Sequence, residues 1–342
     1  MRAIRPISPT VRSSVLADFK RLALALDLDP IALMGRVGID RSYLEDPELT
    51  LPMRSVLELL EIAALSSGMD DFGMRLAEAR GLPDLGPALL MLREEETVRD
   101  ALQAMIAVLH LHSGALYMHL EEGDDPILYV DIIVGGVCHY RQAMDTTVAG
   151  TTKILRLLLG EDWTPESVCF THSRPVSKAR HDRFFRCPID FSQEFNGIVL
   201  RRQDLEKRLP SSSPALRRQV ERYIQSINFA SDDNYVRRVT QLVAMALPKG
   251  EARAEIVARR LGVDCRTLNR RLARSGLNYS GVVEKVRRSL AAQHMLGSER
   301  PLSDIAGVLG FSSLSALTRW FRHSFDCAPS EWRKAQRDQR HR

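Results

Sequence analysis

A short pattern occurs twice in the last third of the chain, and both copies ask for the same geometry. Ala258-Arg-Arg-Leu261-Gly262-Val263 returns 48 residues later as Ala306-Gly-Val-Leu309-Gly310-Phe311. Beyond each, Leu268-Asn-Arg270-Arg-Leu272 returns 49 residues later as Leu317-Thr-Arg319-Trp-Phe321. A small Ala lets two helices cross closely, Gly permits a sharp turn, and the large apolar residues pack the second helix on the first. The pattern therefore predicts two helix-turn-helix units, whose second helices (265–274 and 313–324) can each enter a DNA major groove. Between them, Ser280 to about Gly297 can form a helix of ~27 Å at 1.5 Å per residue. Such a spacer suits two recognition helices set one DNA turn (~34 Å) apart, so one chain can read two consecutive grooves without dimerising.

The charge distribution points the same way. Residues 234–342 hold 21 Lys and Arg against 9 Asp and Glu, a net of +12. Residues 1–233 hold 27 against 34, a net of −7, and the two give the +5 of the whole chain. A basic module on an acidic body is the electrostatic footprint of nucleic-acid binding. A merely solubilising tail would lack the apolar helical spacing seen here.

With 342 residues, 44% hydrophobic and 27% charged, the chain has the composition of an ordinary globular protein of two or three domains. The first hundred residues read as helices: Val15, Leu16, Phe19, Leu22, Ala23 and Leu26 recur at helical spacing, as do Val56, Leu57, Leu60 and Ala64. Thr97 with Asp100 reads as a helix start. Two strands with a turn between them are expected at 115–120 and 127–134, then a long helix at about 142–159. Short strands follow at 167–171, 188–191 and 197–200. Pro210-Ser-Ser-Ser-Pro214 is the best linker signal. The expectation is an α+β N-terminal effector or dimerisation domain with a small sheet (1–210), a linker and connecting helix (211–233, helical at about 215–227), and an all-α C-terminal domain with two helix-turn-helix units (234–342).

No catalyst is legible. There is no phosphate loop, no Gly-x-Ser-x-Gly and no His-Glu-x-x-His, so no enzyme and no cofactor are expected. His110-Leu-His112 and Cys138-His139 lack a third ligand at a fixed spacing, so no metal is expected either. The five cysteines are scattered, which speaks against disulfides, and Cys187 reads as a small core residue. Met1-Arg2-Ala3-Ile4-Arg5-Pro6 is followed by no apolar segment, and no apolar run spans a bilayer. A cytoplasmic protein without membrane contact is expected.

The segment 254–333 resembles the paired helix-turn-helix domain of AraC-type (AraC/XylS) transcriptional regulators. The resemblance is carried by Ile305-Ala-x-x-Leu-Gly-Phe311, Leu317-Thr-Arg319-x-Phe321 and Ala328-Pro329-Ser330-Glu-Trp332-Arg333. Asp326 stands where many members have Gly, a departure expected to alter the turn slightly. Residues 20–210 are similar to the N-terminal "arabinose-binding type" domain of the ornithine-utilisation and VirS-like subgroup. Here the carriers are Gly160-Glu-Asp-Trp163-Thr-Pro-Glu-Ser-Val168-x-Phe170-x-His172-x-x-Pro175, Phe185-x-Cys187-Pro-x-x-Phe191 and Phe195-Asn-Gly197. The resemblance implies a promoter-DNA-binding regulator, in most members an activator touching RNA polymerase. It also implies a body that senses a small molecule or mediates homodimerisation.

Leu268 and Leu272 face inward, which turns Arg266, Asn269 and Arg270 outward. Arg on guanine and Asn on adenine are the commonest base-reading pairs, and these positions match those that read bases in the family. Leu317 and Phe321 likewise leave Leu314, Ser315, Ala316 and Arg319 toward the groove, a surface poorer in donors. Ser303 and Ser313 are expected to cap helices. For the effector, Tyr117, Tyr129, Tyr140 and Arg141 are the candidates, with His119, Asp131 and His139 nearby. Arg141 offers the planar fork that suits a carboxylate.

Overall fold

The computed structural model describes residues 9–83, 89, 92, 94–134, 138–210, 232–248, 250–297 and 301–340. The expected linker and connecting helix lie outside them as far as residue 231. The described residues form two compact units, one before residue 211 and one from 232 on.

In the first unit β1 (Thr10–Arg12) pairs antiparallel with β2 (Thr50–Pro52), with Val11 opposite Leu51. Neither strand was expected, because each carries a single apolar residue between its neighbours, Val11 in Thr-Val-Arg and Leu51 in Thr-Leu-Pro. Helices α1 (Phe19–Ala25), α2 (Pro30–Arg36), α3 (Met53–Ser67), α4 (Phe72–Ala79) and α5 (Val98–Val108) accompany them. Asp29 caps α2 by accepting from the Ile31 and Ala32 amides, with Pro30 in its first turn. Thr97 caps α5 through the Asp100 amide at 3.2 Å.

The main sheet contains β3 (Leu116–Glu121), β4 (Ile127–Ile132), β5 (Ser167–Cys169), β6 (Ile189–Asp190) and β7 (Gly197–Val199). Its order is β3-β4-β7-β5-β6, antiparallel except for β5 beside β6. Leu128, Val130 and Ile132 are buried while Ile127, Tyr129 and Asp131 point to the other face, the period of two expected of a strand. Helix α6 (Arg141–Leu159) follows β4, and α7 (Ala179–Phe185) and α8 (Arg202–Glu206) complete the unit.

Helix α6 is buried almost all round although it is rich in threonine. The hydroxyls resolve the conflict. Thr146, Thr147, Thr151 and Thr152 each donate to the carbonyl four residues earlier, which turns polar side chains into satisfied core residues. Its start is pressed against the start of α4. The Gln142 side chain accepts from the Gly73 amide at 2.7 Å and donates to the Asp70 carbonyl at 3.1 Å. Thr146 also donates to the Gly73 carbonyl. A Cβ on Gly73 would lie 2.1 Å from the Gln142 carbonyl oxygen, so only glycine permits this approach.

In the second unit every described element is a helix: α9 (Asp232–Ala246), α10 (Ala254–Arg260), α11 (Cys265–Arg274), α12 (Tyr279–Gly297), α13 (Leu302–Val308), α14 (Leu314–Phe325) and α15 (Pro329–Arg340). Pairs α10–α11 and α13–α14 are the two helix-turn-helix units.

Gly73→Ala is expected to destabilise the protein by about 1–3 kcal/mol, the usual cost of overpacking. Gly35→Ala, in helix α2 with nothing within 4 Å of the new methyl, should instead add roughly 0.4–1 kcal/mol. Denaturant midpoints of the two variants check the opposite signs.

Candidate DNA interface and effector domain

Both turns depend on a left-handed glycine. Gly262 has φ +67° and Gly310 φ +73°, a region that costs other residues about 1–2 kcal/mol. Gly310 is constrained a second time, since a Cβ there would lie 2.5 Å from the Leu247 carbonyl oxygen. Ala258 and Ala306 are buried at the crossings, and Leu268, Leu272, Leu317 and Phe321 are wholly buried beneath the recognition helices.

Each recognition helix has a side-chain cap. Asp264 accepts from the Thr267 amide at 2.6 Å, and Ser313 accepts from the Ala316 amide at 3.2 Å. The backbone amide of Thr267 is the main reason that the Asp264 carboxyl is held below its ordinary pKa. Ser303 is not a cap. Helix α13 already begins at Leu302 after Pro301, and the Ser303 hydroxyl donates instead to Asp304 at 3.0 Å. Asp326 closes α14 in the left-handed conformation, φ 58° and ψ 17°, so it takes the backbone shape a glycine would take.

Helix α12 holds the two units together. At its start, the Tyr279 amide donates to Asn269 Oδ1 at 3.3 Å, while Asn269 Nδ2 donates to the Cys265 carbonyl at 3.1 Å. In its middle, both oxygens of Glu284 are occupied from α14: Trp320 Nε1 donates at 2.7 Å and the Ser324 hydroxyl at 2.6 Å. One turn on, Arg287 Nε donates to the Leu309 carbonyl at 3.1 Å and its guanidinium lies over the Phe311 ring, 4.7 Å from the centroid. Arg288 covers Phe325 in the same way at 4.8 Å. Trp332, on α15, packs edge-on against Phe321 and Phe325, a core position.

Arg266, Asn269 and Arg270 are exposed on α11, and Leu314, Ser315 and Arg319 are exposed on α14, with Ala316 half-buried. Asn269 is both exposed and committed to the backbone. Its remaining amide proton and lone pair are what it can offer elsewhere.

In the first unit, Tyr117 is buried on β3 opposite Asp131 on β4. Tyr129 lies between His119, stacked at 6.1 Å, and Phe195 at 4.9 Å. The Tyr140 hydroxyl is 3.4 Å from Thr171 Oγ1; burial, then the Asp131 charge, raises its pKa. Arg141 is engaged by Asp70, donating to its carboxylate at 2.6 Å and its carbonyl at 3.0 Å. Burial pushes the Asp131 carboxyl up to about 7, against the pull of the Ile132 amide.

The opposite face of the hairpin borders a cavity of about 80 Å³. Leu116 and Met118 of β3, residues of α3, α4, α5 and α6, and the cations Arg80 and Lys153 line it; Tyr117, Tyr129, Tyr140 and Arg141 do not. Neither cation stands in a motif that would mark this cavity in the sequence. His112 is also in its wall, whereas the side chain of His110 lies outside the described residues. Cys187 is half-buried against the core, and burial pushes its thiol up to about 11. Among the described residues no group of three His, Cys, Asp or Glu is placed to hold a metal, and no helix is long and apolar enough to cross a membrane.

Two predictions follow from these contacts. Glu284→Ala leaves the Trp320 and Ser324 donors without acceptors and should cost about 1–3 kcal/mol, with Glu284→Gln, which keeps one carbonyl, intermediate; denaturation followed by tryptophan fluorescence reads it. A raised carboxyl pKa means stability that is present below about pH 4 and lost as pH rises toward 7. Asp131→Asn should therefore raise the thermal midpoint more at pH 8 than at pH 5.

Residues 28–209 match the family described as "Arabinose-binding domain of AraC transcription regulator, N-term", and residues 257–335 match "Helix-turn-helix domain". The chain is 27% identical over 326 residues to the HTH-type transcriptional regulator VirS of Mycobacterium tuberculosis, which covers 94% of this chain and 96% of that protein. It is 28% identical over 195 residues to the Ornithine utilization regulator of Pseudomonas aeruginosa, 56% of this chain and 57% of that one. Among solved structures it is similar to the transcriptional regulator CdpR of Pseudomonas aeruginosa, at 20% identity and a TM-score of 0.47 over 94% of this chain and 98% of that chain. The first of these matches spans over half of the 342 residues, and the chain belongs to the AraC family of transcription regulators.

Proposed function

We propose that this protein is a sequence-specific regulator that reads two neighbouring major grooves of promoter DNA, with α11 in one and α14 in the next, under the control of a small-molecule effector. The observation that carries the reading is the repeated two-faced helix. Leu268 and Leu272 are wholly buried on one side of α11 with Arg266 and Arg270 exposed on the other, and α14 repeats this with Leu317, Phe321 and Arg319. In this reading Arg266, Asn269 and Arg270 read one half-site, Asn269 with the hydrogen-bonding capacity its backbone bonds leave over. Leu314, Ser315, Ala316 and Arg319 read the other, with Leu314 or Ala316 against a thymine methyl.

The domain division is 1–210 for effector binding and dimerisation, 211–233 for linker and connecting helix, and 234–342 for DNA. The protein acts in the cytoplasm as an activator that meets RNA polymerase beside the promoter, as a homodimer formed through the first domain. Effector binding shifts the protein between states that hold promoter DNA differently, by no more than its differential affinity for them.

The test is capture of genomic fragments by the purified full-length protein at physiological salt, followed by footprinting and transcription with RNA polymerase in vitro. Two half-sites about one helical turn (~34 Å) apart support the reading; diffuse binding that fades steeply with salt shows the phosphate contribution alone and overturns it. Arg270→Ala should weaken specific binding by about 1–3 kcal/mol, the value of a bidentate base contact, and Ser315→Ala by less. Equal losses in a binding titration refute that order, and repression in place of stimulation refutes the activator.

A further inference from the structure

The cavity beside α4 and α6 has an unusual balance of walls. Leu60, Met105 and Met118 are among its apolar residues. The threonines Thr146, Thr147 and Thr151 also line it, but their protons are spent on backbone carbonyls of α4 and α6. Arg80 and Lys153 thus carry the donors of greatest strength in the wall. Both are cations, and among the described residues neither forms an ion pair with a carboxylate. Arg80 Nη2 donates to the carbonyls of Val15 and Ala17, and Lys153 Nζ to those of Ala77 and Arg80. These partners are dipoles, not charges. Among the described residues the buried Nε of Arg80 has no hydrogen-bond partner, and one Lys153 proton is left over from its two bonds. Burial pulls the Arg80 pKa down to about 10, and burial together with the neighbouring Arg80 lowers that of Lys153. The Asp18 charge pulls Arg80 the other way, as Glu78 and Asp18 do Lys153. But Asp18 is paired with Arg21, and Glu78 with Arg180 and Arg183, so no carboxylate among the described residues is paired with either cation of the wall.

We propose that this cavity is the effector site and that its ligand is a small carboxylate with a short apolar body, an inference that rests on the effector reading above. The carboxylate supplies the missing charge and accepts from the Arg80 guanidinium and the third Lys153 proton, as charge-assisted bonds favour. The apolar body lies against Leu60, Met105 and Met118. The cavity's 80 Å³ is about half of the ~150 Å³ cavity that accepts benzene, which suits an apolar body of about three or four carbons.

The test is calorimetric titration of the full-length protein with acetate, butyrate, isovalerate and octanoate, and with isovaleramide and isoamylamine as neutral and cationic counterparts. Butyrate and isovalerate should bind and raise the thermal midpoint. Acetate, octanoate, the amide and the amine should each bind on the order of tenfold more weakly or not at all. K153M and R80Q should each weaken isovalerate binding on the order of tenfold. Because Arg80 also holds the Val15 carbonyl, T147L serves as a second variant, filling the cavity from α6; with circular dichroism unchanged it should abolish binding. Isovalerate binding that survives both K153M and T147L overturns the site, and preference for the amide or amine overturns the ligand class. Footprinting on captured promoter DNA separates this inference from the reading beneath it. If another metabolite changes DNA occupancy and no carboxylate binds, the carboxylate site falls and the effector reading stands. If isovalerate binds with the stated variant pattern and leaves occupancy unchanged, the site stands and its effector role falls.

Discussion

Helix α12 is anchored to both helix-turn-helix units, and that constraint organises the second unit. Helix α12, 19 residues long, is fixed to α11 through Asn269 and to α14 through Glu284. The Glu284 contact is the stronger of the two. A half-buried carboxylate with both oxygens occupied makes two charge-assisted bonds, and losing it strands an indole N–H and a hydroxyl. Arg287 adds a bond to the very turn, at Leu309, that Gly310 makes possible. The second helix-turn-helix is therefore held at its turn and along its recognition helix by one turn of α12.

The first unit solves a different problem, that of burying polarity. Asp145 lies in the second turn of α6 with no exposure, its Oδ1 3.1 Å from His172 Nε2 and 3.3 Å from His181 Nε2. Burial by itself would raise its pKa, but the two imidazoles outweigh that and hold the carboxyl well below the ordinary range. Phe170 and Phe191 pack against both imidazoles, and Phe185 against His181. A buried pair of this kind fixes a register more than it adds net stability, since desolvation offsets most of the attraction. It ties α6 to α7 and to the strand-end segment at His172, as Gln142 and Gly73 tie α6 to α4.

What was legible in the sequence followed its periodicity. The bounds of α11, the pattern of β4 and the long α6 could be read because apolar residues recur at helical or strand spacing. The paired strands β1 and β2 could not, since a single apolar residue, Val11 or Leu51, marks each. Ser303 was misread as a cap because Pro301 takes the cap position and the helix begins two residues earlier than a Ser303 cap requires. The exposed faces of α11 and α14 were readable from Leu268 and Leu317, which define the buried side, but the backbone bonds of Asn269 were not. Its bond to Tyr279 joins residues ten apart across a turn whose path the spacing alone does not fix. Polar residues on the β3–β4 hairpin drew attention to the face carrying Tyr117, Tyr129 and Asp131. The cavity lies on the apolar face of the same hairpin, where Leu116 and Met118 read simply as core.

That placement bears on how a ligand in the cavity can matter. Its walls include α4 and α6, the pair held at their N-terminal ends by the Gly73–Gln142 approach and at the other end of α4 by Lys153 bonded to the Ala77 and Arg80 carbonyls. A close-packed helix pair has few intermediate positions, so it shifts between discrete arrangements more readily than it deforms by degrees. A ligand that draws on Lys153 and Arg80 competes with, or reinforces, the bonds that end α4, and it thereby acts on the same interface that glycine makes narrow. The size of any such effect is bounded by the ligand's preference for one arrangement. A tenfold preference corresponds to about 1.4 kcal/mol, the order of a single one of these hydrogen bonds.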